Sequence, residues 1–239
     1  MTYEYDMNKI TPTVNKTGSS WVDLDEYQQF FLKTICKDSK VLEVGSGYGY
    51  LANELLVNGH QVICNDIEQK HLDAISNNTT KEKKDSLITI CSPAQKLKFQ
   101  ESIFDAIACC LVIHFFKNEE IEMLLKHFSE WLKDGGIGCL TCVTPYFGAC
   151  KSFQPQYEIN KKTNPRFPGN INNLNNFLSN NSDPNVAPIT LNVLDLNELE
   201  SLIQESGFKI LKSGYIEDKY YPDDLKNNGK ECVGVIFKR

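Results

Sequence analysis

A carboxylate followed by three glycines at alternate positions, Glu43-x-Gly45-x-Gly47-x-Gly49, is the pattern in this 239-residue chain that speaks most directly of chemistry. Glycine leaves no side chain where a ligand must come close, and a bare loop feeding a helix start turns free backbone N–H groups outward. Such a bend suits a nucleotide-like ligand. Dinucleotide-binding folds space their glycines Gly-x-Gly-x-x-Gly and seat a pyrophosphate on the helix dipole. Here position 50 is tyrosine, and a carboxylate precedes the glycines. Glu43 would repel a pyrophosphate and accept from a cationic ammonium group.

The elements that must position this bend follow from apolar patterning. Val41, Leu42 and Val44 form a short run fit for a strand buried on both faces, and residues 50–58 form a helix closed by Gly59. A strand over 61–64 then ends in Asn65-Asp66-Ile67-Glu68. An acid there, about 20 residues past the glycines, holds the ribose-hydroxyl position of nucleotide-binding α/β folds. Asp66 fits it, with Glu68 as the alternative, and Ile67 can cover an adenine face. A helix over 69–78, a charged loop over 79–85 and a third strand over 87–91 come next. The fourth strand, from Phe104-Asp105 through a wholly apolar run to His114, reads as a central parallel strand. Its C-terminal end meets that of the first strand at the switch point, where open sheets bind ligands, so Cys110, Leu111 and His114 line the cleft. His114 has two readings, a general base or a structural histidine holding a loop. A helix over 118–132 stops at Lys133-Asp-Gly-Gly136, and a fifth strand covers 137–144. The chain closes with a helix over 193–206 and strands over 208–216 and 231–238.

These segments resemble the class I S-adenosylmethionine-dependent methyltransferases, whose first motif is Glu/Asp-x-Gly-x-Gly-x-Gly. Residues 92–99, Ser-Pro-Ala-Gln-Lys-Leu-Lys-Phe, are similar in register to the family's acid-Ala-x-x-Leu-Pro-Phe segment. Phe104-Asp, Leu-Lys-x-Gly-Gly136 and the closing helix-Gly-Phe-strand are similar to further family segments. The resemblance implies an α/β, Rossmann-like seven-stranded, mostly parallel sheet with its last strand antiparallel and helices on both faces. It also implies S-adenosyl-L-methionine as cofactor. Glu43, Gly45, Ser46, Gly47 and Gly49 would then hold the methionine end, Asp66 the ribose, and Ile67, Ala94 and Gln95 the adenine. The sequence departs from the family at Pro93, where an acid normally accepts from the adenine amino group, so Ser92 or Gln95 must substitute. In the family a helix preceding the first strand covers the cofactor; residues 23–35 match it, within an N-terminal section of 1–38.

Residues 1–21, polar with Tyr3, Tyr5 and Trp21 interspersed, read as a flexible arm or a lid. Residues 147–190 are Asn-rich and irregular, and related enzymes insert substrate-capping elements there; a disordered loop is the competing view. Trp21 and Tyr146 are the candidates for touching substrate, with Tyr48 and Tyr50 behind them. The expected activity is methyl transfer to a small-molecule O or N acceptor. A protein acceptor, a non-catalytic binding protein (motivated by Pro93) and an NAD-dependent oxidoreductase (disfavoured by Glu43 and Tyr50) remain as alternatives.

Composition sets the outer bounds. A chain of this length suits one domain with a single core. The net charge of −6 argues against a broad nucleic-acid surface. Nine cysteines sit mostly in apolar runs and read as buried hydrophobes. Cys139-x-x-Cys142 has metal or redox spacing, yet in a strand the two side chains point to opposite faces, so no metal is expected. The odd cysteine count and polar start imply a cytoplasmic protein, and no apolar run is long enough to span a membrane.

Overall fold

The computed structural model describes residues 9–14, 18–177, 190–217 and 223–239. A seven-stranded sheet organises them. It is built from β3 (Lys40–Val44), β4 (Gln61–Asp66), β5 (Leu87–Cys91), β6 (Phe104–Cys110), β7 (Leu132–Val143), β10 (Lys209–Ile216) and β11 (Cys232–Lys238), in the order β10-β11-β7-β6-β3-β4-β5. β5, β4, β3, β6 and β7 run parallel, and β11 is antiparallel to both β7 and β10. The order reverses direction at β3 and β6, so their C-terminal ends make the crevice where such sheets bind ligands. This is the expected Rossmann-like sheet with its last strand antiparallel.

Period-2 alternation divides the sheet into two faces. Val41, Ala106, Ala108 and Cys139 pack on one side under α1 (Glu26–Thr34), α2 (Tyr50–Val57), α3 (Gln69–Asn78) and α5 (Gln154–Thr163). Leu42, Ile107, Cys109 and Cys142 pack on the other under α4 (Asn118–Trp131) and α6 (Leu196–Glu205). Cys139 and Cys142 thus lie in separate cores, as strand geometry requires. Among the described residues no cluster of His, Cys, Asp and Glu could hold a metal ion, and no helix is long and apolar enough to cross a membrane.

Helix α1 starts where sequence chemistry places it: Asp25 caps the Tyr27 and Gln28 amides, and Gln28 returns the contact in a capping box, worth ~1 kcal/mol. Its Tyr27 ring lies flat on the sheet because position 234 is glycine; a Cβ there would sit 2.5 Å from the ring.

Four expectations need correction. Residues 133–136 do not simply stop α4; β7 already begins at Leu132, pairing with Phe104 before a register shift, and Gly135 at φ +81° donates to the Arg239 carbonyl. β6 stops at Cys110 rather than running to His114, because Leu111 takes a left-handed conformation, φ +56°. α6 begins at Leu196, since Asp195 caps it, and Lys81–Ser86 form a 3₁₀ turn within the charged loop.

The N-terminal section contains a hairpin, with β1 (Ile10–Pro12) antiparallel to β2 (Ser19–Trp21). Its end is pinned by a Lys9–Asp23 ion pair at 2.8 Å. Residues 1–8 of that section, including Tyr3 and Tyr5, lie outside the described residues, as do 178–189 of the 147–190 insert. The rest of the insert contains α5 and a short pair, β8 (Asn170–Ile171) with β9 (Leu191–Asn192). It is tied to the sheet's helices: Tyr157 donates to Glu198 at 2.8 Å, Lys161 pairs with Asp195 at 2.9 Å, and Asn118 Oδ1 accepts from Asn170 and Asn192.

Candidate active site

The glycine loop leaves β3 and turns on three left-handed residues, Gly45 (φ +70°), Gly47 (φ +51°) and Gly49 (φ +78°). Sterics compound the conformational need. A Cβ on Gly45 would meet Val112 Cγ2 at 2.3 Å, and one on Gly49 would meet Ile75 Cγ1 at 2.5 Å. Asn65, on β4, organises the bend: its carbonyl accepts the amides of Gly45 (2.8 Å) and Ser46 (2.9 Å), while its side-chain amide donates to the carbonyls of Ile90 and Ser92. Sequence reading passed over Asn65. The Asn beside the acid at the strand end was the available signal.

Asp66 sits at the end of β4, buried, within reach of the loop. Its Oδ2 accepts the Gly47 amide at 2.9 Å, and its Oδ1 accepts the Glu68 amide at 2.9 Å and faces His71 Nδ1 at 3.2 Å. Glu68 is spent elsewhere; its carboxylate caps α3 by accepting from the Lys70 amide. Ile67 next to it is 64% exposed, an apolar side chain held out at the crevice.

Glu43 is 5% exposed, and its Oε2 has no hydrogen-bond partner. Burial raises its pKa to about 8, opposed in part by a hydrogen bond from Ser46 and assisted to a lesser degree by the Asp66 charge. A buried carboxylate oxygen without a donor costs ~1–3 kcal/mol. An approaching ammonium group supplies both the missing donors and the missing charge. That orphaned oxygen, beside a bend free of side chains and a second carboxylate, fits the amino-acid and ribose ends of S-adenosylmethionine.

On the facing side, the left-handed Leu111 is held by its amide donating to the Thr141 carbonyl (2.9 Å) and hydroxyl (3.2 Å). A non-glycine residue in that region is strained by ~1–3 kcal/mol and clusters at functional sites. The turn carries Val112 onto Gly45. Cys110, half-buried, places its sulfur 3.8 Å from Cys139 Sγ. Ala94 is buried in the 3₁₀ turn after Pro93, and Gln95 is half-buried beside it; the Ser92 hydroxyl is turned onto the Pro93 carbonyl.

His114 lies in a 3₁₀ turn, 4% exposed, its ring 4.3 Å from that of Phe115. Its Nδ1 accepts the Val143 amide at 3.5 Å, and burial drives its pKa down to about 3. An imidazole accepting at Nδ1 carries its proton on Nε2. Tyr146 is half-buried, edge-on to Tyr157 and Tyr215, with Lys230 over both Tyr146 and Tyr215. Trp21 ends the N-terminal hairpin, half-buried against the helix-covered core. The Tyr48 and Tyr50 hydroxyls meet that hairpin, at the Pro12 carbonyl (3.0 Å) and Thr11 (3.1 Å).

Comparison with known proteins agrees with this geometry. Residues 41–136 match the family described as a methyltransferase domain. The biotin biosynthesis bifunctional protein BioHC of Cellvibrio japonicus is 28% identical over 107 residues, 45% of this chain and 20% of that protein, so the matched part spans about a fifth of that relative. Among solved structures, a Methanosarcina mazei S-adenosylmethionine-dependent methyltransferase superposes with a TM-score of 0.66 at 18% identity, covering 90% of this chain and 99% of the other. A Clostridium acetobutylicum S-adenosylmethionine-dependent methyltransferase gives 0.59 at 16%, covering 90% and 92%. The Burkholderia thailandensis 1,6-didemethyltoxoflavin-N1-methyltransferase, solved with 1,6-didemethyltoxoflavin and S-adenosylhomocysteine, gives 0.59 at 14%, covering 90% and 79%. At these identities the structural likenesses carry the fold, and the matched segment carries the glycine loop and both strands beside it. Residues 41–136 thus resemble a methyltransferase domain, set in a sheet that shares its fold with S-adenosylmethionine-dependent methyltransferases.

Proposed function

We propose that this chain is an S-adenosylmethionine-dependent methyltransferase acting on a small-molecule acceptor. The observation that carries the reading is the buried Glu43 carboxylate, unpartnered at Oε2 beside the glycine bend. Glu43 meets the ammonium of the amino-acid end, which the glycines of the Gly45–Gly49 bend admit by carrying no side chain, while the Gly45, Ser46, Gly47 and Gly49 amides are engaged within the protein. Asp66 holds the ribose hydroxyls, and Ile67, Ala94 and Gln95 flank the base. When bound, S-adenosylmethionine supplies a sulfonium-activated methyl group. The residues of this chain contribute alignment, which is most of what an in-line displacement needs.

His114 serves as a brace rather than a base in this reading. Its accepting nitrogen is taken by the Val143 amide, and the proton sits on the other. An acceptor that brings its own lone pair, a neutral amine nitrogen or an already ionised oxygen, needs no histidine. Trp21 and Tyr146 border the acceptor space, and the described part of the insert, residues 147–177, caps it. The Burkholderia thailandensis structure, which shares this fold and was solved with bound 1,6-didemethyltoxoflavin, motivates the small-molecule class. A binding protein without turnover is the second reading, favoured by Pro93 standing where the adenine-contacting acid is expected.

The experiment is a screen for methyl transfer from S-adenosylmethionine, read by mass spectrometry, with small amines and hydroxy compounds in one arm and proteins in the other. A one-methyl mass gain on a small molecule supports the proposal. A gain on polypeptides alone, or tight cofactor binding with no gain on anything, replaces it with the corresponding alternative.

A further inference from the structure

His71 lies on α3, 2% exposed, and no functional role follows for it from the glycine motif or the ribose acid. Its two ring nitrogens nevertheless reach two different parts of the site. Nε2 accepts the backbone amide of Val14 at 3.1 Å, and Nδ1 stands 3.2 Å from Asp66 Oδ1. An amide can only donate, so Nε2 must be bare. The proton of the neutral ring therefore rests on Nδ1 and is donated to the ribose carboxylate. One tautomer satisfies both contacts; its counterpart satisfies neither. The Tyr48 ring packs edge-on against the imidazole at 4.9 Å and fixes its plane.

These bonds close a circuit. From His71 the path runs through Asp66 Oδ2 to the Gly47 amide, along the loop to Tyr48, from the Tyr48 hydroxyl to the Pro12 carbonyl, and along the N-terminal hairpin to Val14 and back to His71. Two more contacts run in parallel. Ser20 Oγ would be 2.7 Å from a Cβ on Gly47, so the hairpin lies directly on the glycine bend, and Thr11 meets the Tyr50 hydroxyl. Ile10 is fully buried, which anchors the near end of the hairpin.

We infer that His71 is a positioning residue that couples the seating of the N-terminal hairpin to the orientation of the Asp66 carboxylate, making the hairpin part of the cofactor grip. This inference rests on the S-adenosylmethionine reading of the site. Asp66 accepts from three groups in this structure, and the His71 ring is the one of them that itself accepts a hydrogen bond from the N-terminal hairpin. When Val14 leaves, Nε2 loses its donor and the ring is free to change tautomer or turn. The ribose acid then loses one of the donors that fix its oxygens.

Val14→Pro tests the coupling at a distance from the cofactor site, because it deletes the donated amide at an exposed turn position, 36% accessible, at the added cost of fixing φ there and restricting Thr13. Tyr48→Phe cuts the same circuit at the Pro12 carbonyl and serves if Val14→Pro folds poorly. His71→Asn retains a donor toward Asp66 and loses the reach to Val14. The probe is S-adenosylhomocysteine, titrated calorimetrically into wild type, Val14→Pro, His71→Asn and the double variant. Val14→Pro is expected to weaken binding about three- to tenfold, the scale of one hydrogen bond, and His71→Asn by a similar factor. The double variant should be no weaker than His71→Asn alone, since both cut one circuit. Amide exchange gives a second readout that simple bracing of α3 would not move: S-adenosylhomocysteine should slow exchange at Val14 in wild type and leave it unchanged in His71→Asn. Wild-type affinity in Val14→Pro and Tyr48→Phe, or losses that add in the double variant, would overturn the coupling while leaving the cofactor reading intact. If wild type itself gives no heat, all four proteins fall silent together, and both the coupling and the cofactor reading are overturned.

Discussion

Asp66 Oδ2 accepts the Gly47 amide at 2.9 Å, so the carboxylate assigned to the ribose also clasps the bend assigned to the methionine end. The two halves of the proposed cofactor site are therefore one hydrogen-bonded unit before any ligand arrives. Asp66→Ala removes the ribose acceptor and releases Gly47 and Glu68 together. The expected result is loss of S-adenosylhomocysteine affinity by at least about a hundredfold, since charged hydrogen bonds are worth ~1.5–3 kcal/mol each. Calorimetry reads it, and an unchanged Kd would place the ribose elsewhere.

Glu43 ties cofactor binding to pH. Its pKa of about 8 means that the carboxyl is protonated in the ligand-free protein at neutral pH, with burial the main cause. Binding an ammonium group requires the anion, so a proton leaves on binding, and affinity rises with pH until about 8, above which the ligand's own ammonium begins to lose its proton. Calorimetry in two buffers of different ionisation enthalpy measures that proton release. Stability runs the other way. A carboxyl whose folded pKa lies above its unfolded value stabilises most below the unfolded pKa, and that contribution is lost as pH climbs through the folded pKa. Glu43→Gln should flatten the decline in melting temperature over this range and weaken S-adenosylmethionine about tenfold or more.

Gly45→Ala tests the loop on steric grounds alone. The added methyl must occupy a left-handed backbone and overlap Val112 at 2.3 Å. A destabilisation of ~2–5 kcal/mol is expected from strain and overpacking combined. Val112→Ala in the same chain should recover part of it, and chemical denaturation measures both.

His114 should prove dispensable as a base. A ring with a pKa near 3 is neutral throughout the working range, and its accepting nitrogen is engaged by Val143. His114→Asn is expected to lose ~1–3 kcal/mol of stability while the pH–rate profile keeps its shape. A profile that loses its acidic limb in the variant would restore the histidine as a base.

Much of this was legible in the sequence because apolar runs and glycine spacing are local signals. The central strands are marked by Val41–Val44, Val62–Cys64 and the run after Phe104, each apolar for the reason that parallel strands are covered on both faces. The opposed faces of Cys139 and Cys142 follow from the same geometry. What stayed hidden depends on partners far along the chain. The hairpin of Ile10–Pro12 with Ser19–Trp21 has only three residues a side and few apolar ones, so no periodicity marks it. Its docking onto His71 and Tyr48 joins residues 57 and 36 positions apart. The early start of β7 was masked by Lys133-Asp-Gly-Gly136, a composition that ordinarily marks a helix stop, because pairing of Leu132 with Phe104 overrides local preference. Sequence pattern alone left His114 either a base or a brace, and only the fold reveals that Val143 occupies its accepting nitrogen.

The central claim is that the Glu43 bend takes a positively charged amino-acid moiety and turns phosphates away, and titration calorimetry of the intact chain at pH 8 addresses it most directly. S-adenosylmethionine and S-adenosylhomocysteine should each give a saturable heat with a Kd well below about 1 mM, a binding free energy beyond about −4 kcal/mol, and NAD should give none. Silence with both methionine-derived ligands at millimolar concentration, or saturable binding of NAD at the same bend, would contradict it.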